Sequence, residues 1–127
     1  MVKFTKNGST AVSAAVKLAR AYTGREIVAR CAEQPFFSYD DWFIGNTPLT
    51  RGITRETQFN TKSFHYNQIQ SLQALIDAFP GQIACVVLEP AATECPAVDQ
   101  HTAGCCGLAT CNRNYQTAGP NYLQQVQ

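Results

Sequence analysis

The sequence predicts one α/β domain built from parallel βαβ units, and three observations support this class. A short apolar run (Met1, Val2, Phe4) is followed by a helical pattern and then by a strand-like run, Glu26–Cys31. A later unbroken apolar run, Ile83–Leu88, is typical of a parallel strand covered on both faces. Strand, helix and strand in this order predict a parallel sheet, and 127 residues suit one modest domain.

The first predicted helix begins at Ser9 or Thr10 and ends near Tyr22. A hydroxyl at either starting position can cap the helix, and Gly24 suits a left-handed C-cap. Alanines favour the helical state and allow close packing on a sheet. The apolar positions recur along one face of this helix. They are Val12, Ala15, Val16, Ala19 and Tyr22.

The second predicted helix has the clearest pattern. Asn67 followed by Gln70 resembles a capping box, and Pro80-Gly81 ends the helix. Four apolar residues between them follow the helical spacing. They are Leu72, Leu75, Ile76 and Phe79.

Between the two predicted helices, the residues after the strand Glu26–Cys31 show no regular spacing of apolar side chains. Residues 35–45 are rich in aromatic side chains, and we interpret them as an ordered loop or a short helical turn. Trp42 and Phe43 are assigned to the core. Residues 46–59 are polar and predict a long loop, a feature that is more often functional or flexible than a plain connector.

The net charge and the hydropathy of the sequence argue against several kinds of binding partner. The net charge is +1, so there is no electrostatic argument for a nucleic acid or an anionic membrane as partner. No apolar run approaches the length of a membrane span, and the N-terminus carries no signal-peptide core. We therefore expect a cytoplasmic protein.

The six cysteines and two histidines do not form a recognisable metal motif. Cys31 and Cys85 lie in apolar runs, where a free thiol behaves as a small hydrophobic side chain. The other four cysteines lie within residues 95–111 and lack a CxxC pair, so zinc is disfavoured. His65 and His101 are assigned surface or structural roles.

The turn before the first helix is the main candidate for a binding site. Asn7-Gly8-Ser9-Thr10 precedes a helix N-terminus, where backbone N–H groups and the helix dipole favour an anion. The motif alone favours a plain capping turn. In an open parallel sheet, ligands gather at the carboxyl ends of the strands. The loops after Phe4, Cys31 and Leu88 therefore form the expected site-bearing edge.

Several motifs together resemble class III aminotransferases, in particular the branch similar to glutamate-1-semialdehyde 2,1-aminomutase. They are Lys6–Ala11, Val16–Arg25, Asp41–Gly45, Tyr66-Asn67 and Val87–Pro90. Each motif is weak alone, but they occur in the family's order and cover about residues 1–98. The resemblance implies a type I pyridoxal-phosphate-transferase fold, bound pyridoxal 5'-phosphate, small-molecule amino donors and acceptors, and a homodimer.

The resemblance also assigns positions in this chain to the cofactor. Gly8 and Ser9 match the family's phosphate cup, and Asn7 stands where serine is common. Phe36 falls at the aromatic position that stacks on the cofactor ring, and Phe37 at a position where histidine is common. A phenylalanine keeps the stacking surface but lacks the hydroxyl of the usual tyrosine. Glu89 matches the strand-end Glu-Pro motif and is expected near the pyridine edge.

Two family features are missing from this chain. Neither the aspartate that pairs with the pyridine nitrogen nor the Schiff-base lysine has a counterpart, and Lys62 is the last lysine. No catalytic residue is therefore assigned. We predict that residues 1–98 are part of the large domain and that the chain is inactive alone. The alternative is a non-catalytic phosphate-binding or interaction domain.

The composition changes near Gln100, where the resemblance also stops. Residues 101–127 contain many polar amides and show neither helical nor strand periodicity. We interpret residues 99–127 as an atypical tail, either the product of a shifted reading frame or poorly ordered. A natural but unusual C-terminus is the plain alternative.

Overall fold

A computed structural model describes residues 2–34, 38–90, 96 and 120–127 of the chain. Within these residues, three parallel strands form one sheet in the order β2-β1-β3. The strands are β1 (Ile27–Cys31), β2 (Thr61–Phe64) and β3 (Ile83–Val87). The helices are α1 (Gly8–Thr23), α2 (Asp41–Ile44), α3 (Arg55–Phe59), α4 (Ile69–Ala78) and α5 (Tyr122–Val126). The predicted α/β class with a parallel sheet is confirmed.

Helix α1 lies where the sequence predicts it, although its N-cap is Asn7 rather than Ser9 or Thr10. The Asn7 side-chain oxygen accepts hydrogen bonds from both the N–H and the hydroxyl of Thr10, each 2.9 Å long. The predicted C-cap is confirmed, since Gly24 has φ 67° and its N–H donates to the Arg20 carbonyl. Ser9 therefore lies in the first turn and is free of the capping role.

The predicted strand at the N-terminus is wrong for residues 2–5, which have no regular structure. Val2 and Phe4 are 81% and 92% exposed. Alternating apolar residues form a strand only when a neighbouring strand supplies hydrogen bonds, and β1 already has β2 and β3 on its two sides. The parallel crossovers therefore join β1 to β2 and β2 to β3.

The long loop predicted for residues 46–59 is wrong at its end, where residues 55–59 form α3, and strand β2 follows it. Strand β2 has only four residues, and its centre is polar, so its sequence lacks a strand pattern. Thr61 is nevertheless buried, because its hydroxyl donates to the Trp42 carbonyl over 2.6 Å. The short helical turn predicted for residues 35–45 is α2, and Trp42 and Phe43 are in the core as predicted.

Helix α4 begins one residue later than predicted, because its N-cap is Gln68 rather than Asn67. Asn67 has φ 59° and lies in the turn before the helix, and Gln68 is an N-cap without a side-chain hydrogen bond. The capping-box prediction is therefore wrong, because the chain leaves β2 through a left-handed residue. The apolar stripe is partly confirmed: Leu72 is buried, whereas Ile76 is 44% exposed.

Strand β3 is less buried than its apolar sequence predicts. All five of its residues are half-buried, because β3 is an edge strand within the described part of the chain. One face contacts α1, and the other carries a cluster that includes residues of α4 and α5. Coverage of both faces is therefore only partial.

Helix α5 packs on the sheet although its sequence shows no helical period. Five residues are too few for a period, and the helix is specified by a capping box between Asn121 and Gln124. Tyr122 is 2% exposed, and its ring centroid lies 5.0 Å from that of Tyr66. None of the helices in the described residues is long and apolar enough to cross a membrane.

Candidate functional site

The N-terminus of α1 and the carboxyl ends of the strands lie at the same edge of the sheet. Only Arg25 and Glu26 separate the Gly24 cap from β1, so α1 runs antiparallel to the strands it packs on. A buried hydrogen bond of 2.7 Å between the hydroxyls of Ser13 and Ser38 joins this half of α1 to the segment after β1. This is the edge at which the sequence predicts a binding site.

The first turn of α1 presents unused hydrogen-bond donors. The N–H groups of Gly8 and Ser9 and the Ser9 hydroxyl have no hydrogen-bond partner among the described residues, whereas Thr10 is capped by Asn7. A Cβ added at Gly8 would meet nothing within 4 Å, so this side of the turn is open. The first turn also lacks acidic residues. These features suit a phosphate monoester.

Gln34 holds the backbone of Glu89 at the same edge. Its side-chain N–H donates to the Glu89 carbonyl over 2.8 Å, and its side-chain oxygen accepts from the Glu89 N–H over 2.6 Å. These two bonds join the loop after β1 to the end of β3. The position of Glu89 is therefore set by a residue that carried no recognisable motif in the sequence.

The predicted ring contacts Phe36 and Phe37 lie outside the described residues. The residues on either side of them are anchored, Gln34 by Glu89 and Ser38 by Ser13. Trp42 also holds Ser13 in place, because its indole N–H donates to the Ser13 hydroxyl over 3.2 Å. Their placement near the cofactor stays a prediction.

The side chains of Glu33 and His65 form a hydrogen bond beside this edge, across the ends of β1 and β2. The His65 Nδ1 atom lies 2.5 Å from a Glu33 carboxylate oxygen, and the side chains are 54% and 45% exposed respectively. Burial opposes ionisation of Glu33, but hydrogen bonds from His65, the Tyr66 N–H and the Cys31 thiol outweigh it and lower its pKa to about 2. This agrees with a surface role for His65.

The Cys31 thiol is a hydrogen-bond donor rather than a nucleophile. The side chain is completely buried, and its sulfur donates to a Glu33 oxygen over 3.3 Å. Burial and this hydrogen bond raise the pKa of Cys31 to about 11, so the thiol stays protonated at neutral pH. The sequence interpretation of Cys31 as a small hydrophobic side chain is confirmed.

The hydrogen bonds to the Glu33 carboxylate make a pH-dependent contribution to the free energy of unfolding. Because the pKa of Glu33 is lower in the folded chain than its usual 4.5, the contribution is complete above pH 4.5 and is lost as pH falls towards 2. Glu33→Gln should lower the free energy of unfolding by about 1 kcal/mol at pH 6, a modest value because solvent screens this exposed pair. Urea unfolding of both chains at several pH values measures the difference. A difference that stays constant between pH 6 and 2 would contradict this assignment.

Lys62, the last lysine of the chain, points to the opposite end of the sheet. Its ammonium nitrogen lies 3.8 Å from the ring centroid of Phe59 and 5.1 Å from that of Phe79. Phe59 precedes β2 and Phe79 precedes β3, so both rings lie at the amino ends of the strands. The Lys62 amine is therefore remote from the edge that carries Gly8, Ser9 and Glu89.

The structure thus brings some predicted site residues to one edge and adds others. Asn7, Gly8, Ser9 and Glu89 share the carboxyl edge of the sheet. Sequence reasoning missed Gln34 and the Ser13–Ser38 pair, because single glutamines and serines give no local signal. No group of histidine, cysteine and acidic side chains in the described residues could hold a metal ion. The cysteines at positions 95, 105, 106 and 111 lie outside the described residues.

Comparison with known proteins identifies relatives of this chain. No family model matches it. It is 35% identical over 101 residues to glutamate-1-semialdehyde 2,1-aminomutase of Thermosipho africanus, covering 72% of this chain and 24% of the relative. It is 40% identical over 87 residues to aminopentol aminotransferase of Sphingopyxis macrogoltabida, covering 68% of this chain and 20% of the relative.

Solved structures give the same result for the fold. The FumI protein of a Sphingopyxis species, in its PLP internal aldimine form, superposes with a TM-score of 0.58 at 38% identity, covering 68% of this chain and 20% of that chain. An omega-transaminase from Sphaerobacter thermophilus superposes with a TM-score of 0.60 at 27% identity, covering 68% of this chain and 23% of that chain. The chain therefore spans a fifth to a quarter of the length of the relatives it matches. Over that region, this chain belongs to the family of pyridoxal-phosphate-dependent aminotransferases and aminomutases.

Proposed function

We propose that this chain is a phosphate-binding part of the large domain of an aminotransferase or aminomutase, and that its 127 residues do not transfer amino groups alone. The unused donors at the first turn of α1 carry this proposal. They lie on the same sheet edge as Glu89, and they belong to a region homologous to enzymes of this family. Small-molecule amino donors and acceptors would be the substrates of the complete enzyme.

The residues present fit the phosphate end of pyridoxal phosphate. The N–H groups of Gly8 and Ser9 and the Ser9 hydroxyl would hold the phosphate, while Asn7 keeps the turn in shape by capping Thr10. Phe36 would stack on the ring with Phe37 beside it, and Gln34 would hold Glu89 near the pyridine edge. When bound, the cofactor supplies an electron sink for chemistry at the carbon that bears the amino group.

Binding by this chain would be non-covalent. The family's Schiff-base lysine has no counterpart after Lys62, and the amine of Lys62 lies against two phenylalanine rings at the other end of the sheet. We further propose that the protein is cytoplasmic and that it self-associates. The exposed apolar residues Val2, Phe4, Leu18 and Tyr22 support self-association.

Titration of the purified chain with pyridoxal phosphate tests the proposal. Ser9→Ala should weaken binding about tenfold, because it removes one hydrogen bond to a charged group. Gly8→Val should abolish binding by filling the open side of the turn. Thr23→Ala is the matched control, since it removes a hydroxyl from the far end of the same helix. Equal binding by all four chains, or an aldimine absorbance whose adduct is retained after borohydride reduction and denaturation, would refute the proposal.

A non-catalytic phosphate-binding or interaction domain is the second candidate, favoured by the absence of a lysine after Lys62. Competition with inorganic phosphate separates the two candidates. Pyridoxal phosphate that binds no more tightly than inorganic phosphate would favour the second, because the ring would then contribute nothing.

A further inference from the structure

Two side chains from other strand ends hold the backbone of Glu89 and Pro90, the segment that follows β3. The Tyr66 hydroxyl donates to the Pro90 carbonyl over 2.7 Å. The Gln34 amide bonds to both the N–H and the carbonyl of Glu89. Because proline has no N–H, these three bonds engage every backbone N–H and carbonyl group of the two residues. Side chains therefore fix this segment where the pairing of β3 with β1 has ended.

Glu33 fixes the position of Tyr66. Its carboxylate accepts hydrogen bonds from the Tyr66 N–H over 3.0 Å and from Nδ1 of His65. Two consecutive residues after β1 thus reach the two neighbouring strand ends, Glu33 that of β2 and Gln34 that of β3. Tyr66 is 6% exposed, and its ring centroid lies 5.0 Å from that of Tyr122. Packing and hydrogen bonds together therefore set the direction of the Tyr66 hydroxyl.

We propose that Tyr66 is a positioning residue for the ring end of the pyridoxal phosphate site. Through the Pro90 carbonyl, and together with Gln34, it sets the orientation of the Glu89 backbone and so the direction in which the Glu89 carboxylate meets the pyridine ring. This inference rests on the proposed function, which places the ring beside Glu89. The donors for the phosphate lie on a different element, the first turn of α1, whose shape is set by the Asn7 cap. The two ends of the site should therefore respond separately to substitution.

Titration of the full chain with two ligands separates these ends. Pyridoxine 5'-phosphate carries the ring and the phosphate but no aldehyde that reacts with surface lysines, and inorganic phosphate carries only the anion. Tyr66→Phe removes the hydroxyl and keeps the ring that packs on Tyr122. In calorimetry it should bind pyridoxine 5'-phosphate about fivefold more weakly, the equivalent of one hydrogen bond, and inorganic phosphate unchanged. Ser9→Ala should weaken the binding of both ligands.

Tyr22→Phe is the matched control for Tyr66→Phe. It removes the same atom from a side chain that is 90% exposed near the C-terminal end of α1. Both affinities should stay at the values of the unmodified chain.

Hydrogen exchange gives a measurement that needs no ligand. The Glu89 amide should exchange about fivefold faster in Tyr66→Phe, because release of the Pro90 carbonyl loosens the peptide that Gln34 binds. The Val28 amide, which donates to the Asn60 carbonyl in the centre of the sheet, should keep its rate. A loss of overall stability would instead accelerate both amides.

The outcomes distinguish this inference from the proposed function. Equal weakening of both ligands by Tyr66→Phe, or faster exchange of both amides, would show that Tyr66 acts only through overall stability and would overturn the inference. Unchanged binding of pyridoxine 5'-phosphate, or an unchanged Glu89 amide, would also overturn it and leave the proposed function intact. An unmodified chain that binds pyridoxine 5'-phosphate no more tightly than inorganic phosphate would overturn the cofactor site and this inference together.

Discussion

Replacing Trp42 with alanine is expected to lower the free energy of unfolding by about 4 kcal/mol, the usual cost of removing a buried tryptophan side chain. Trp42 is 5% exposed, and its ring meets that of Phe43 edge-on with centroids 5.7 Å apart. It packs in a cluster with Val16 and Val28 and donates to the Ser13 hydroxyl. The change therefore leaves a cavity between α1 and the sheet. Urea unfolding followed by circular dichroism measures the loss.

A second variant of Trp42 separates the effect of packing from that of hydrogen bonding, and a surface variant serves as the control. Trp42→Phe keeps most of the apolar volume but removes the donor to Ser13, and should cost about 1–2 kcal/mol. Tyr39→Ala is the surface control, because Tyr39 is 72% exposed, and its effect should stay within about 0.5 kcal/mol. A cost below about 1 kcal/mol for Trp42→Ala would show that α1 does not depend on this contact.

Arg30→Ala should have the second largest effect, a loss of about 3 kcal/mol in the free energy of unfolding, because it leaves several buried acceptors without a donor. Arg30 is 7% exposed although it lies in the central strand. Its guanidinium donates to the side chain and the carbonyl of Asn46, and to the carbonyls of Cys31 and Gln34. The Arg30 guanidinium carbon also lies 4.6 Å from the ring centroid of Phe43.

Replacing Arg30 should also change the structure of the candidate site. Because Arg30 holds the Gln34 carbonyl, its removal should loosen the contact between Gln34 and Glu89, and the Glu89 amide should exchange with solvent faster. Arg30→Lys keeps the charge but lacks the planar fork of donors, so we expect an intermediate loss. Arg51→Ala, at an exposed position, is the control for removing a positive charge. Equal unfolding energies for Arg30→Ala and Arg51→Ala would contradict the role given to Arg30.

The features that the sequence predicted correctly are those with a local physical cause. The spacing of apolar residues and the freedom of Gly24 to adopt a positive φ define α1 and its end. Ile83–Val87 is a strand because β-branched and other apolar residues suit a sheet interior. The family motifs likewise concern neighbouring residues, and the relatives confirm the family over the matched region.

The predictions that failed depended on partners far along the chain. Val2 and Phe4 have the alternation of a strand, but they pair with none of the three described strands and are exposed. Thr61 has little strand character, yet β2 exists because β1 and the Trp42 carbonyl satisfy its polar groups. Asn67 has the spacing of a capping box, but its positive φ places it outside the helix.

By itself, therefore, the sequence determined the α/β class, the main helices, strands β1 and β3 and the position of the turn before α1, because each depends on residues within a few positions of one another. Only the tertiary structure decided how the site edge is assembled. The Gln34–Glu89 contact joins residues 55 positions apart, and the Ser13–Ser38 contact joins residues 25 positions apart. Such hydrogen bonds form when the sheet brings distant segments together, and no local pattern of side chains specifies them. The distance of Lys62 from this edge has the same origin, since its amine lies against the rings of Phe59 and Phe79 at the amino ends of the strands.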